Sequence, residues 1–334
     1  MKKDNSDLST SLEKLYSEQV EEGFISPTIV KQVRSLQVIP NTQNTHFFHL
    51  QFNPARAKRG IAEKQNPNPI HTIPYKDGVP CFLCQDNIQY QWPNEKWVSK
   101  NLNNRLFHFY PNPSPIFPHH FTVASHEHRG QSIDFSTNLH LLDILPNYWI
   151  IQNGEGAGAT NPWHFHFQIF TTLKQLPLSV TPSLYSHSIS LGDTTCILER
   201  LDLPLPVFKF QFKPSSPHKR YQGYSYIQEF LQSTLQHFYN IHPDNRINII
   251  TINRSLGTVD IYIALRNKGV RTDMYVSGQP GYAEIAGIVS TIRESDTKRW
   301  LQKGYGLYQQ LLSDISIPES QYAPFEQSLL SLVE

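Results

Sequence analysis

Apolar residues recur along this chain at helical and strand spacings that arrive in clusters. Leu8, Leu12, Leu15 and Val20 fall near the helical interval and predict an amphipathic N-terminal helix. "THFFHLQFNPARAKRG" predicts a strand that runs into a basic loop beginning at Asn53-Pro54. "RLFHFYPNPSPIFPHHFTVASHEH" predicts two strands around a Pro-rich turn. A helix is expected at "NLHLLDILPNYW", followed by the Gly-rich loop "NGEGAGATNP" and a strand at "NPWHFHFQIF". From about Pro204 the pattern begins again, with a strand at "VFKFQF", a helix at "YIQEFLQSTLQHFYN" and strands at "INIITI" and "VDIYIAL". "GYAEIAGIVST" and a helix near "TKRWLQKGYGLYQQLLSDI" close the chain. Clustered strands and helices, rather than a steady βαβ alternation, predict an α+β fold. The similar element content of the two halves points to a duplicated module.

The strand at 161–170 carries an unusual alternation. Successive strand side chains face opposite sides, so His164, His166 and Gln168 share one face. Trp163, Phe165, Phe167 and Ile169 share the other, which reads as the buried one. Imidazoles and an amide build a core poorly, because each needs a polar partner. An isolated His-x-His pair on a solvated strand face is the plain alternative.

Composition narrows the function classes. Charged residues are 17% of the chain and the formal net charge is +1, so no overall field favours nucleic acid or an anionic membrane. No apolar run approaches the ~20 residues of a membrane span, and the N-terminus lacks the apolar core of a signal peptide. Three cysteines, an odd number, argue for a reducing compartment, and the expected location is cytoplasmic.

Cys81 and Cys84 in "CFLC" have the spacing that lets one backbone turn direct two thiolates at a metal. Zinc needs two further ligands, and His126, His128 and His164 are the candidates. A redox pair would need a thioredoxin-like βαβ context that the flanking sequence lacks. Two unrelated buried cysteines remain the plain alternative. The Gly-rich loop of residues 153–162 has the small residues with which backbone N–H groups approach a phosphate. A neutral imidazole beyond such a loop can attack phosphorus if one ring nitrogen is held by an acceptor. Gln168 can then donate its amide to a non-bridging oxygen.

Together, "CFLCQDN", the loop ending in Asn-Pro and "HFHFQ" resemble the transferase branch of the histidine-triad superfamily. That branch includes galactose-1-phosphate uridylyltransferase, diadenosine tetraphosphate phosphorylase and the GDP-hexose phosphorylases. "QFNPAR", "PIFPHHFTVASHEH" and the phenylalanines of "HFHFQ" look closest to the last group. The resemblance covers residues 48–170 well and 245–296 faintly. It implies two histidine-triad-like halves with antiparallel sheets flanked by helices. Residues 1–200 would be the catalytic half with the zinc site, and 201–334 a related half contributing substrate binding.

By the same resemblance His166 is the nucleophile and Gln168 contacts the α-phosphate. Cys81, Cys84, His128 and His164 hold a structural zinc, although His126 also suits the metal. Asn153, Gly158 and Thr160 line the phosphate loop. Arg56 and Lys58 hold nucleotide or phosphate, unless they belong to a solvated charged loop. Lys268, Arg271 and Glu284 are candidates for a sugar or acceptor phosphate, and His120 for a structural hydrogen bond. Trp163 lengthens the loop by one residue relative to the uridylyltransferases, and Phe165 and Phe167 replace their Pro and Gly. The expected activity is nucleotidyl transfer through a covalent histidine intermediate. The donor is a nucleotide or nucleotide-sugar, GDP-hexose ranking first, and the acceptor is phosphate or a sugar phosphate. Hexose-1-phosphate uridylyl transfer and dinucleoside polyphosphate phosphorolysis are the alternatives, and a zinc-stabilised nucleotide sensor is the non-enzymatic one. Neither nucleic acid nor membrane is an expected partner, and a homodimer is left open.

Overall fold

Strand-forming residues fill most of the predicted strand positions, and hydrogen bonding assembles them into two sheets. The structure, a computed structural model, describes residues 6–43, 45–58, 81–92, 94–159, 161–172, 175–215, 220–241, 246–254, 257–268 and 280–331. In chain order the strands are β1 (Leu36–Pro40), β2 (Phe47–Phe52), β3 (Val98–Leu102), β4 (Arg105–Pro111), β5 (Phe121–Ser125), β6 (Trp149–Asn153) and β7 (His166–Phe170). They continue with β8 (Ser183–Leu191), β9 (Thr194–Leu201), β10 (Val207–Pro214), β11 (Arg246–Asn253), β12 (Val259–Arg266) and β13 (Ile288–Thr291).

Ten strands form one sheet in the order β3-β4-β5-β7-β6-β11-β12-β10-β9-β8. The order contains a repeat. Read from either edge inward, strands 3-4-5-7-6 and 8-9-10-12-11 follow one path. Each path crosses a helix between its third and fourth strand in sequence, Phe135–Ile144 in the first and Arg220–Ile241 in the second. The two units, 98–170 and 183–266, join through the antiparallel pair β6–β11, where Ile151 opposes Ile250. β8 and all but the last residue of β9 lie within 1–200, and both strands pair within the second unit. The expected α+β architecture of antiparallel sheets flanked by helices is the one found, with one parallel pair, β2–β13, in the small sheet.

Both faces of the large sheet are covered. One carries helices Ser6–Glu21, Phe135–Ile144, Arg220–Ile241 and Glu319–Leu330, packed over Phe165, Phe167, Ile169, Phe208, Phe210 and Ile261. The other carries a small sheet, β1-β2-β13, and helix Glu294–Ile315, whose Trp300 and Tyr308 pack on Phe48. Phe165, Phe167 and Ile169 are fully buried; each such side chain stabilises the fold by roughly 1.5–3 kcal/mol. A one-residue slip would exchange them for His166 and Gln168, so the core fixes the register that presents the polar face.

Two sequence expectations change. Trp163 was assigned to the buried face but is 36% exposed. Regular pairing begins only at His166, because Pro162 lacks an N–H and the Trp163 N–H donates to Asn161 Oδ1 in a local turn. The helix expected to reach Trp149 ends at Ile144, and residues 149–153 form β6, whose β-branched pair Ile150–Ile151 suits a doubly covered strand.

Candidate active site

The Pro-rich turn, the Cys turn and the end of β7 converge on one edge of the first unit. Helix Gln85–Gln91 follows directly on Cys84. It packs Leu83 and Ile88 with Cys81 and Cys84 against Tyr110 of β4 and Ala124 of β5. This satellite core sets the two thiols beside the first histidine of "HFHFQ". His164 Nδ1 lies 3.4 Å from Cys81 Sγ and 3.5 Å from Cys84 Sγ, and His128 Nδ1 lies 3.2 Å from Cys84 Sγ. The ligand atoms of Cys81, Cys84, His128 and His164 all fall within 4.8 Å of one another. His164 is fully buried, and its Nε2–H donates to the Ser125 carbonyl at 2.7 Å. That bond fixes the tautomer and leaves the Nδ1 lone pair aimed at the sulfurs. Asn161 adds a donor to Cys81 Sγ at 3.2 Å. The hydrogen bond from Cys84, reinforced by His164, outweighs burial and draws the Cys81 thiol down to about 3, while the same bond raises Cys84. Two sulfurs and two imidazole nitrogens at these separations can hold a metal ion of the tetrahedral N/S class.

His126 stands outside this group. Its Nδ1 is 3.0 Å from His108 Nε2, and His108 Nδ1 is 2.8 Å from Ser99 Oγ. Of the two histidines weighed for the metal, the geometry brings His128 to the cysteines and ties His126 to β4.

His166 is the next same-face residue. It is 4% exposed and lines a cavity together with Gln168, Asn161 and Ser114. Its Nδ1–H donates to the His164 carbonyl at 2.8 Å, which places the lone pair of the neutral ring on Nε2. Gln131 clamps its backbone, accepting from His166 N at 2.9 Å and donating to His166 O at 2.8 Å. Gln168 is oriented in a complementary way. Its Oε1 accepts from His120 Nε2 at 2.5 Å and from the Tyr282 hydroxyl at 2.6 Å. His120 Nδ1 accepts the Ile116 N–H, so its proton sits on Nε2. With both donors on Oε1, the Gln168 amide N–H₂ is the end presented to the cavity.

The Gly-rich loop leans on the second half of the chain. A Cβ on Gly158, at φ +87°, would lie 2.5 Å from the Pro280 carbonyl oxygen, so only glycine fits there. Asn153 Oδ1 accepts from Asn248 Nδ2 at 2.5 Å, and Asn248 Nδ2 also donates to the Ala157 carbonyl at 2.8 Å. Arg56 Nη1 donates to the carbonyl of Ser114, a cavity residue. Glu284, a candidate for sugar or acceptor binding, instead accepts the Gly281 N–H at 2.8 Å, and burial raises its carboxyl. Lys268 is exposed, with its Cγ against Gly156. Thr160, Arg271 and the Lys58 side chain lie outside the described residues.

Residues 15–171 match a family model described as a domain of unknown function, DUF4922. No curated protein matches the sequence. Among solved structures, yeast Ap4A phosphorylase Apa2 in complex with AMP aligns over 95% of this chain and 98% of its own, with a TM-score of 0.62 at 14% identity. Its fold is shared. The same yeast enzyme in complex with Ap4A aligns over 93% of this chain and 97% of that one, at 12% identity and a TM-score of 0.61. A further structure of the yeast enzyme covers 92% and 94%, at 14% identity and the same TM-score of 0.61. The likeness in fold to the yeast Ap4A phosphorylase extends over nearly the whole chain. Among the described residues no helix is long and apolar enough to cross a membrane.

Tyr282, Gln131 and Asn248 carry no signal in the sequence. Each acts on a neighbour that is distant in sequence, up to 162 positions for Tyr282 and His120, and no local pattern marks such a contact.

Proposed function

We propose that this chain is a nucleotidyl phosphorylase or transferase that works through a nucleotidyl-His166 intermediate. The observation that carries the reading is the 2.8 Å bond from His166 Nδ1 to the His164 carbonyl. The Nε2 lone pair attacks the α-phosphorus of a nucleoside anhydride, the P–N bond forms, and the P–O bond to the leaving phosphate breaks. The ring becomes cationic with its proton kept on Nδ1, and the His164 carbonyl stabilises that charge. Gln168 Nε2 donates to the non-bridging oxygens as negative charge builds on them. In the second step an oxygen of phosphate or of a sugar phosphate attacks the same phosphorus, the P–N bond breaks, and the pair returns to Nε2. No net proton transfer is required, so the reaction runs readily in either direction.

Cys81, Cys84, His128 and His164 would hold zinc. The donor set and the tautomer of His164 fit it. When bound it cross-links the Cys turn to the strand; the transfer itself is carried out by His166 and Gln168. Of the donors, a nucleoside diphosphate sugar, GDP-hexose first, is favoured by the "QFNPAR" and "HFHFQ" motifs. A dinucleoside polyphosphate is the second reading, supported by the nearly full-length likeness to the yeast Ap4A phosphorylase. Three buried free cysteines suit a cytoplasmic location.

The test is intact-protein mass after brief incubation with GDP-sugars, ADP-sugars, UDP-sugars and Ap4A, quenched without acid. A nucleotidyl adduct that is absent from His166→Ala is the expected result. Nucleotide binding without any adduct across that panel would overturn the enzyme reading in favour of a binding protein.

A further inference from the structure

The cavity beside His166 contains a carboxyl that the transfer chemistry does not use. Phe82, Leu83, Ile88, Trp92 and Tyr110 form its apolar walls, and Glu95 lies among them. Glu95 is 8% exposed, and its backbone N–H donates to the Trp92 carbonyl at 2.9 Å. Its carboxyl has no hydrogen bond or ion pair among the described residues, while the adjacent Lys96 pairs outward with Glu22. Burial pushes the Glu95 carboxyl up to about 8. The Tyr110 hydroxyl in the same wall is buried and also lacks a hydrogen-bond partner among the described residues. Buried polar groups are nearly always hydrogen-bonded, so a carboxyl without one among the described residues, in a cavity walled by aromatic and aliphatic side chains, calls for a ligand with an apolar-faced body and N–H donors on one edge.

We infer that Glu95 is the base-reading residue of this cavity and selects guanine. The inference rests on reading the cavity as the nucleotide site. Guanine alone among the common bases presents two adjacent donors, N1–H and N2–H₂, on its pairing edge. Both oxygens of a carboxylate accept from that edge as charge-assisted bonds. A protonated carboxyl also fits guanine, donating to O6 and accepting from N1–H. Adenine, with a donor at N6 and an acceptor at N1, fits only the protonated form. Guanine is therefore matched in either state, and forming the two bonds offsets the desolvation of the charge.

The test is equilibrium binding of GMP, IMP and AMP to the full-length protein and to Glu95→Gln at about pH 8.5, where the ionised form, the one that reads the 2-amino group, predominates. IMP keeps O6 and N1–H but lacks the 2-amino group. The wild-type protein should bind GMP roughly ten- to hundredfold more tightly than AMP, and more tightly than IMP. In Glu95→Gln the GMP preference over IMP should vanish and the GMP:AMP ratio should narrow by about tenfold, because a glutamine amide matches the adenine edge. Wild-type binding of AMP as tight as GMP, or equal GMP and IMP affinities, would overturn the assignment, and neither measurement needs the variant to fold. Glu95-dependent GMP binding without a His166 adduct from any donor would uphold the base reader while overturning the transfer reading.

Discussion

The two repeats of the large sheet use one strand path and put the polar face of the equivalent strand to opposite ends. On β7, His166 and Gln168 stand opposite the buried Phe167 and Ile169; on β12, Asp260 and Tyr262 stand opposite the buried Ile261 and Ile263. In the second unit the polar groups satisfy one another. Asp260 accepts from Gln211 at 2.9 Å, from Arg254 at 2.7 Å and from the Tyr262 hydroxyl at 3.2 Å. In the first unit His166 is oriented through Nδ1 and Gln168 through Oε1, and both side chains line a cavity. One scaffold thus supports a network turned inward that stabilises the fold and an oriented pair beside a cavity that can act on a ligand.

Removing the imidazole beside the cavity should have the largest effect. His166→Ala is expected to abolish the nucleotidyl adduct and lower turnover by at least about 10⁴-fold with the fold intact, read by mass spectrometry and circular dichroism. Retained adduct formation would relocate the nucleophile. Next comes the metal. Cys84→Ser, or chelation of the wild type, should release bound zinc, measured by elemental analysis, and destabilise the protein by about 3 kcal/mol or more. The effect should extend to activity, because the carbonyl that orients His166 belongs to the metal-site residue His164.

The closed network predicts the reverse pattern. Asp260→Asn should cost roughly 3 kcal/mol in chemical denaturation by leaving Arg254 and Lys209 short of their counter-charge. It should change adduct formation at low temperature by no more than about twofold. Glu95, the buried carboxyl of the cavity beside His166, should behave oppositely. Its folded value of about 8 lies above its ordinary one, so the folded state holds a proton that the unfolded state releases. Nucleotide-free stability is then greatest below about pH 4.5 as far as Glu95 is concerned, and is lost as pH rises through about 8. Glu95→Gln should flatten this slope and be the more stable form above neutrality by about 2 kcal/mol. Parallel pH–stability curves for the two proteins would show Glu95 to be satisfied after all.

How legible each part was follows from the range of its interactions. The His-x-His strand, the Cys turn and the Gly-rich loop are local patterns that depend on spacing within one segment, and "CFLC" and "HFHFQ" could be read directly. The repeat was only hinted at, because its proof is the strand order 3-4-5-7-6 against 8-9-10-12-11, a fact of pairing rather than composition. β6 was hidden inside an apolar run that suited a helix equally well, an ambiguity periodicity leaves open for short buried segments. The choice between His126 and His128 needed the path of β4, whose His108 takes up His126. Glu95 in "WPNEKW" has the sequence context of an ordinary surface loop; only the walls folded over it make it different.

The smallest expected effect tests whether the second half takes part in the chemistry at all. Tyr282 follows Gly281, the residue against which the Gly158 turn is packed, and it reaches back to the Oε1 atom that His120 also engages. Removing its hydroxyl leaves Gln168 with one anchor, so the amide can rotate and present Oε1 instead of Nε2 to a phosphate oxygen. Tyr282→Phe keeps the ring stacked among Phe117 and Phe170, so stability should hardly change. The rate of adduct formation should fall about five- to tenfold with little change in nucleotide affinity, the worth of one orienting hydrogen bond. Adding Gln168→Ala to Tyr282→Phe should then cause no loss beyond that of Gln168→Ala alone. If the two losses multiply instead, Tyr282 acts on the substrate by a route other than Gln168, and the second half of the chain is more than a support for the first.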